Sequence, residues 1–334
     1  MRRHPPRTAV LLSLLLLTVG VGTALSQEGP HPWLRAVPEV GGLLSDLQLA
    51  RLEAPCPARF PADDAAASRA RALREDLLEA RAFWRNLLGA TVDGGILIGD
   101  SAVWTAVLPD TWYGMPGARV RTREDGLLAV VAADRPTRFG EEAGELAGIA
   151  PTAFRGLLIA RGLDGVEGAE RYADLVRWVL LAEELSDGLR IGARSWWQRR
   201  LVGAAGAWML LASPRGGEIE PGGAGVMRSW GWFFRSYYRD IASPLSAAGD
   251  MPPEGDLRRR LELDARLFAL GRELVEHRRE ETFARLRTAW PVDAPGMDTA
   301  EALEALFEQF PDLDHWLGWL EDPRRTIPPS IPPR

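Results

Sequence analysis

Residues 170–189 read ERYADLVRWVLLAEELSDGL, and this stretch decides the fold that we expect for the chain around it. At about 100° per residue, apolar side chains occupy almost the whole circumference of a helix, which is typical of a buried helix. The last part of the stretch also carries three carboxylates, Glu183, Glu184 and Asp187, and the same geometry places them in one angular sector. Something must offset their charge, because ionised groups are rarely buried without a counter-charge.

Two features make these acids unfavourable where they stand. They lie near the carboxyl end of the predicted helix, which is the negative pole of its dipole, and Glu183 and Asp187 form a like-charge pair four residues apart. The ordinary explanation is a set of structural salt bridges to arginine. The candidate arginines that follow closely in the sequence are Arg190, Arg194, Arg199 and Arg200.

A second explanation comes from a resemblance. With its acids placed in this way, Glu183-Glu184-Leu185-Ser186-Asp187 resembles the HExxH motif of zincin metallopeptidases, with both histidines replaced by acids and the central glutamate retained as Glu184. In that family the two histidines bind zinc and the glutamate is the general base. The apolar residues 177–182, and two strand-like stretches around the turn at residues 113–116, look like the surroundings of this motif in exported bacterial gluzincins. The resemblance covers about residues 63–290 and implies a zincin-like fold.

The sequence also departs from the pattern that it resembles. Glu183 and Asp187 stand where the histidine ligands should be, and residues 201–211, on the helix that resembles the source of the third ligand, contain no acid. Residues 203–207 are glycine and alanine there. The resemblance therefore implies neither a zinc site nor another cofactor. Without a metal, Glu184 is a weak base with an ordinary pKa of about 4.3, so we expect a pseudoenzyme in which this residue is vestigial.

The flanking chain predicts an α+β fold that is predominantly helical, with a small amino-terminal sheet. A helical period runs from Asp63 to Leu88, and residues 94–100 and 126–133 hold the only clear strand signals. From Glu141 onward the pattern is helical, with breaks that include residues 188–192 and 213–225. Further helices are predicted at residues 195–212, 229–241, 256–290, 299–310 and 313–320. We assign residues 63–321 to one zincin-like domain, after an irregular lead-in at residues 27–62 and before a proline-rich tail at residues 322–334.

The amino terminus has the layout of a signal peptide. Three arginines precede an apolar run at residues 8–22, and small residues follow, so we expect cleavage after Ser26 and a secreted or periplasmic protein with no transmembrane segment. The alternative is an uncleaved membrane anchor. The single cysteine, Cys56, excludes an internal disulfide, and we expect it to be inert.

Composition excludes several kinds of chemistry. All 40 basic residues are arginine, so no lysine Schiff base and no phosphate loop ending in Gly-Lys can exist. The net charge of −6 disfavours nucleic acid as a partner.

Residues 230–239, WGWFFRSYYR, are aromatic enough to suggest a platform for a sugar or a peptide. On a helical wheel, however, Trp230 belongs to a face that predicts core packing, whereas Trp232 and Arg235 belong to the exposed remainder and are the binding candidates. We expect the same core to include Trp196, Trp197 and Trp208.

The leading hypothesis is an exported pseudo-metallopeptidase that binds a peptide or protein partner at the cell envelope. The alternative is a peptidase-like hydrolase that uses Glu183, Glu184 and Asp187 directly or with a non-zinc cation. A hard cation such as calcium wants about six to eight oxygen ligands, which a helix does not readily supply. A third reading is a structural envelope protein without a pocket.

Overall fold

The computed structural model describes residues 64–90, 95–99, 117–121, 126–131, 140–141, 143–145, 156, 158–160, 162–163, 165–237, 257–278 and 281–313. The predicted signal peptide, the lead-in with Cys56, the helix expected beyond residue 313 and the proline-rich tail lie outside these residues. Among the residues described, no helix combines the length and the apolar character that a membrane span requires.

The described chain is predominantly helical, as the sequence predicted. The helices are α1 (Asp64–Leu88), α2 (Gly165–Ala182), α3 (Leu185–Gly188), α4 (Trp196–Leu211), α5 (Pro214–Ile219), α6 (Gly223–Tyr237), α7 (Leu257–Arg278), α8 (Thr282–Ala289) and α9 (Thr299–Gln309), followed by a 3₁₀ turn at Pro311–Leu313.

Helix boundaries agree best with the prediction where the sequence contains a cap. Ser195 precedes α4, and its hydroxyl accepts from the backbone N–H of Gln198 while the Gln198 side chain accepts in return, which is a capping box. Asp298 and Glu301 form the same arrangement at the start of α9. The prediction was wrong in three other places. The expected break at residues 213–225 contains the short helix α5, and the helix expected from residue 229 already begins at Gly223 as α6. The helix expected at 256–290 consists of α7 and α8.

Three short strands form a sheet: β1 (Gly95–Gly99), β2 (Gly117–Arg121) and β3 (Gly126–Val131). β3 is central, parallel to β1 and antiparallel to β2. The two stretches with strand signals, residues 94–100 and 126–133, contain β1 and β3, whereas β2 lies between them without having been predicted. The sheet touches α2 through β2 and β3, and it touches α1 through β1.

Helix α4 lies at the centre of the core and packs against both α2 and α7. A methyl group placed on Gly203 would lie 2.4 Å from the backbone oxygen of Val179 on α2, and one placed on Gly271 of α7 would lie 2.7 Å from the Cβ of Ala204. The small residues of α4 therefore allow its backbone to approach both neighbours closely. Around this contact Trp196, Trp197, Trp208 and Trp230 are buried, as the sequence predicted.

Candidate functional site

The segment that carries the three acids is not one uninterrupted helix, which corrects the prediction for residues 170–189. α2 ends at Ala182, Glu183 and Glu184 form a turn, and α3 is a single turn of helix. The backbone N–H of Glu184 donates to the oxygen of Leu181 at 3.2 Å, and that of Ser186 donates to the oxygen of Glu183 at 3.1 Å. These are i−3 bonds, which wind the chain more tightly than an α-helix. A wheel drawn at constant pitch therefore misplaces the acids beyond Ala182.

The end of α3 is held by a Schellman motif. The N–H of Ile191 donates to the oxygen of Ser186 at 2.7 Å, and that of Arg190 donates to the oxygen of Asp187 at 3.0 Å. Arg190 has φ +56°, the left-handed conformation that glycine usually supplies at this position. The chain then attaches to the residues after α8, because the N–H of Gly192 donates to the oxygen of Trp290 at 2.7 Å.

Glu184, the predicted vestigial base, forms a buried salt bridge with Arg81 of α1. The Arg81 Nη2 atom donates to both carboxylate oxygens of Glu184, at 3.1 and 3.4 Å. The two side chains are only 5% and 4% exposed. Sequence reasoning missed Arg81, which lies 103 residues earlier in the chain. The apolar spacing of α1 gave no signal of an inward-facing arginine.

Glu183 lies beside a buried arginine on α4. The Nε atom of Arg200 is 3.1 Å from Glu183 Oε1 and 3.2 Å from Asp264 Oδ1, and Asp264 belongs to α7. Neither contact has hydrogen-bond geometry, so the attraction between the three groups is electrostatic. Arg200 also lies 5.7 Å from the ring centre of Trp196, within the range of a cation–π interaction. Asp264 was not predicted as part of this site.

Asp187 takes part in a different kind of contact, at the surface. Arg199 Nη1 and Nη2 donate to its two carboxylate oxygens, each at 3.0 Å, and the Asp187 side chain is 61% exposed. The prediction that arginines from the following segment offset the acids is thus confirmed for Arg199 and Arg200. It is wrong for Arg194, whose Nη2 donates to the backbone oxygens of Val292 and Ala294.

Burial and charge act together on the ionisable groups around Arg200. Burial alone lowers the pKa of Arg200, but the charges of Asp264 and Glu183 more than offset this, and the net pKa lies above its ordinary value. Burial lowers the pKa of Arg260, with Asp264 acting in the opposite direction. Burial, followed by the charge of Asp264, raises the pKa of Tyr172 well above 10.0, so this phenol stays protonated at neutral pH.

The face of α4 that meets the turn at Glu183 and Glu184, which we call the acidic turn, is made of glycine and alanine. A methyl group on Gly203 would lie 2.9 Å from Glu183 Cγ, and one on Gly206 would lie 2.5 Å from Leu185 Cδ1. There is consequently no room on this face for a third carboxylate. Across the part of the chain that the structure describes, no three His, Cys, Asp or Glu side chains are grouped so that they could hold a metal ion.

The two remaining candidate binding residues, Trp232 and Arg235, fall within α6, but their side chains lie outside what the structure describes. Their assignment to a binding surface stays a prediction. Trp230 on the same helix is fully buried and stacks on Tyr172, with ring centres 5.7 Å apart.

Comparison of the chain with models of known protein families, with curated proteins and with solved structures finds no significant match.

Proposed function

We propose that this chain is an exported, non-catalytic protein with a zincin-like scaffold, and that it binds a peptide or protein partner at the cell envelope. The observation that carries the proposal is the set of contacts made by the three acids of the acidic turn and α3. Glu183 and Glu184 are buried against arginines, and Asp187 is held by a bidentate arginine contact. Carboxylates already neutralised by guanidinium groups are poor metal ligands, since binding an ion requires breaking those contacts first.

The position of Glu184 supports the non-catalytic part of the proposal. A general base must come within hydrogen-bond reach of the proton that it removes. Both oxygens of Glu184 contact Arg81, and the side chain is only 4% exposed. Water or substrate would have to displace Arg81 to reach this carboxylate.

The layout of the helices supports the scaffold part. The zincin-like proposal requires the helix before the acidic turn to pack on the following helix, beside a short sheet. Gly203 of α4 closely approaches Val179 of α2, and α2 also touches β2 and β3. These contacts support the scaffold part of the proposal.

Metal analysis and a peptidase assay on the same purified full-length chain test the proposal. We expect no stoichiometric transition metal or calcium, and no peptide cleavage that a chelator abolishes, in the wild type or in Glu183→Ala. Glu218→Ala is the matched control, because Glu218 forms an exposed ion pair on α5. Stoichiometric metal that Glu183→Ala loses and Glu218→Ala keeps would support the rival hydrolase and overturn the proposal.

A further inference from the structure

Helix α1 packs on the rest of the chain through one of its sides. Four apolar side chains on this side are buried and lie three or four residues apart: Leu73, Leu77, Ala80 and Trp84. The opposite side is exposed and carries charged and polar side chains: Glu75, Glu79, Arg85 and Asn86. The main contacts of α1 are with α4, α5 and β1. A helix that buries a single apolar face in this way has the geometry of a helix bound in a groove.

Two polar contacts fix α1 in position. The Nη2 atom of Arg81 donates to both carboxylate oxygens of Glu184, at 3.1 and 3.4 Å. Three residues further along α1, the indole Nε1 atom of Trp84 donates to the backbone oxygen of Gly206 on α4, at 3.0 Å. Arg81 is 5% exposed and Trp84 is fully buried. The surface beneath α1 therefore offers a carboxylate to a guanidinium and a carbonyl oxygen to an indole N–H.

From this arrangement we infer that the surface beneath α1, which we call the α1 groove and define by Glu184 and Gly206, is a docking site for an amphipathic helix of a partner protein. The partner helix carries an arginine and a tryptophan three residues apart on its apolar side. An arginine is required because a buried carboxylate needs a positive counter-charge. A tryptophan is required because the indole N–H supplies a single donor on a large apolar ring.

In the wild-type chain α1 is the built-in competitor of this partner. Six residues, 89–94, separate the end of α1 from the start of β1. A short tether holds a ligand at an effective concentration that is roughly millimolar. An external helix must displace α1, so its apparent affinity falls in proportion to the fraction of chains whose groove is open. The chain is therefore autoinhibited toward its partner until α1 is displaced.

This inference rests on the proposed function, because it names the class of peptide that the chain binds. The two are nevertheless tested separately. Metal analysis and the peptidase assay examine whether the chain is catalytic, whereas the measurements below examine whether the α1 groove binds a helix. A failure of one is thus distinguished from a failure of the other.

The experiment uses the full-length chain with Arg81→Ala/Trp84→Ala, which vacates the α1 groove, and a synthetic peptide of residues 64–88 as the probe. Calorimetry should show one peptide bound per chain, at least about tenfold more tightly than a peptide that carries Arg81→Ala/Trp84→Ala. The wild-type chain should bind the probe at least about tenfold more weakly than the vacated variant does, because α1 fills its groove.

The matched control is a peptide with Arg85→Ala, which should bind as tightly as the probe because Arg85 is exposed on α1. A folded variant that binds the probe and the Arg81→Ala/Trp84→Ala peptide equally would overturn the inference. A wild-type chain that sediments as a dimer with exchanged α1 helices would make a second copy the occupant, and would overturn the assignment to a separate partner.

The double substitution removes two buried side chains, so a second measurement covers a variant that does not fold. Native-state hydrogen exchange of the wild-type chain compares the slowest amides of α1 with those of α4. Because α1 must leave the groove while the rest stays folded, its amides should exchange at least about tenfold faster than those of α4. Exchange of both helices at one common rate, through global unfolding, would overturn the inference.

Discussion

Replacing Glu184 by glutamine tests whether this residue is a structural partner of Arg81 or a catalytic base. Glutamine has nearly the same shape as glutamate, so the change removes the charge and keeps the packing. In the wild type, the Nη2 atom of Arg81 contacts both oxygens of Glu184. In the variant, the buried guanidinium of Arg81 would face a neutral amide instead. We therefore expect Glu184→Gln to destabilise the folded chain.

The size of the effect follows from the burial of the pair, whose side chains are 5% and 4% exposed. Removing one partner of a buried ion pair costs about 3–5 kcal/mol, and glutamine keeps one acceptor oxygen, so we expect a loss near the lower end, about 3 kcal/mol. For a domain of this size that corresponds to a melting temperature lower by roughly 6–12 °C. A catalytic glutamate predicts the opposite, since its replacement relieves unfavourable charge without removing a structural contact.

The assay is thermal and urea-induced unfolding of the full-length chain at neutral pH. Glu218→Gln provides the matched control, since it makes the same substitution in the exposed pair of Glu218 with Arg215, where about 0–1 kcal/mol is expected. If Glu184→Gln melts at or above the wild-type temperature, the ion pair with Arg81 does not stabilise the fold and the structural role assigned to Glu184 is wrong.

Two further predictions concern the backbone and the pH dependence. Arg190→Gly should stabilise the chain by roughly 0.5–1 kcal/mol in urea unfolding. The strain of a left-handed non-glycine residue, about 1–2 kcal/mol, exceeds the entropic cost of fixing the more flexible glycine. An equal or lower stability of the variant would show that Arg190 is not strained. Burial and the charge of Asp264 raise the pKa of Tyr172 above 10.0. The protonated Tyr172 phenol therefore contributes its full stability below pH 10. That contribution is lost as the pH rises through the folded-state pKa, at up to about 1.4 kcal/mol per pH unit. Tyr172→Phe should therefore lose stability less steeply above pH 10, with no lysine titrating in the same range; identical slopes would contradict this.

The parts of the fold that the sequence predicted well have local causes. The start of α4 could be read from Ser195 and Gln198 because a capping box involves residues three apart. The buried character of α2 follows from its continuous apolar circumference. By contrast, β2 contains Gly117, Ala118 and two arginines, and this composition lacks the apolar run that marks a buried strand.

The candidate site was only partly predictable, because its decisive contacts are long-range. Arg199 and Arg200 could be proposed as partners of the acids because they follow closely in the sequence. Arg81 and Asp264 could not be, since only the packing of α1 and α7 brings them to the acidic turn. The tightened turn itself also escaped prediction, because a helical wheel assumes the same pitch at every residue.

Glu183 and Glu184 are counter-ions of the buried arginines Arg200 and Arg81, and the coupling free energy between Glu183 and Arg200 tests this most directly. A double-mutant cycle would compare the free energies of unfolding of wild type, Glu183→Gln, Arg200→Met and the double variant at neutral pH. We predict a coupling of more than about 1.5 kcal/mol, as expected for groups in contact inside a protein. If the changes in unfolding free energy of the two single variants add to within about 0.5 kcal/mol, Glu183 is not a counter-ion of Arg200.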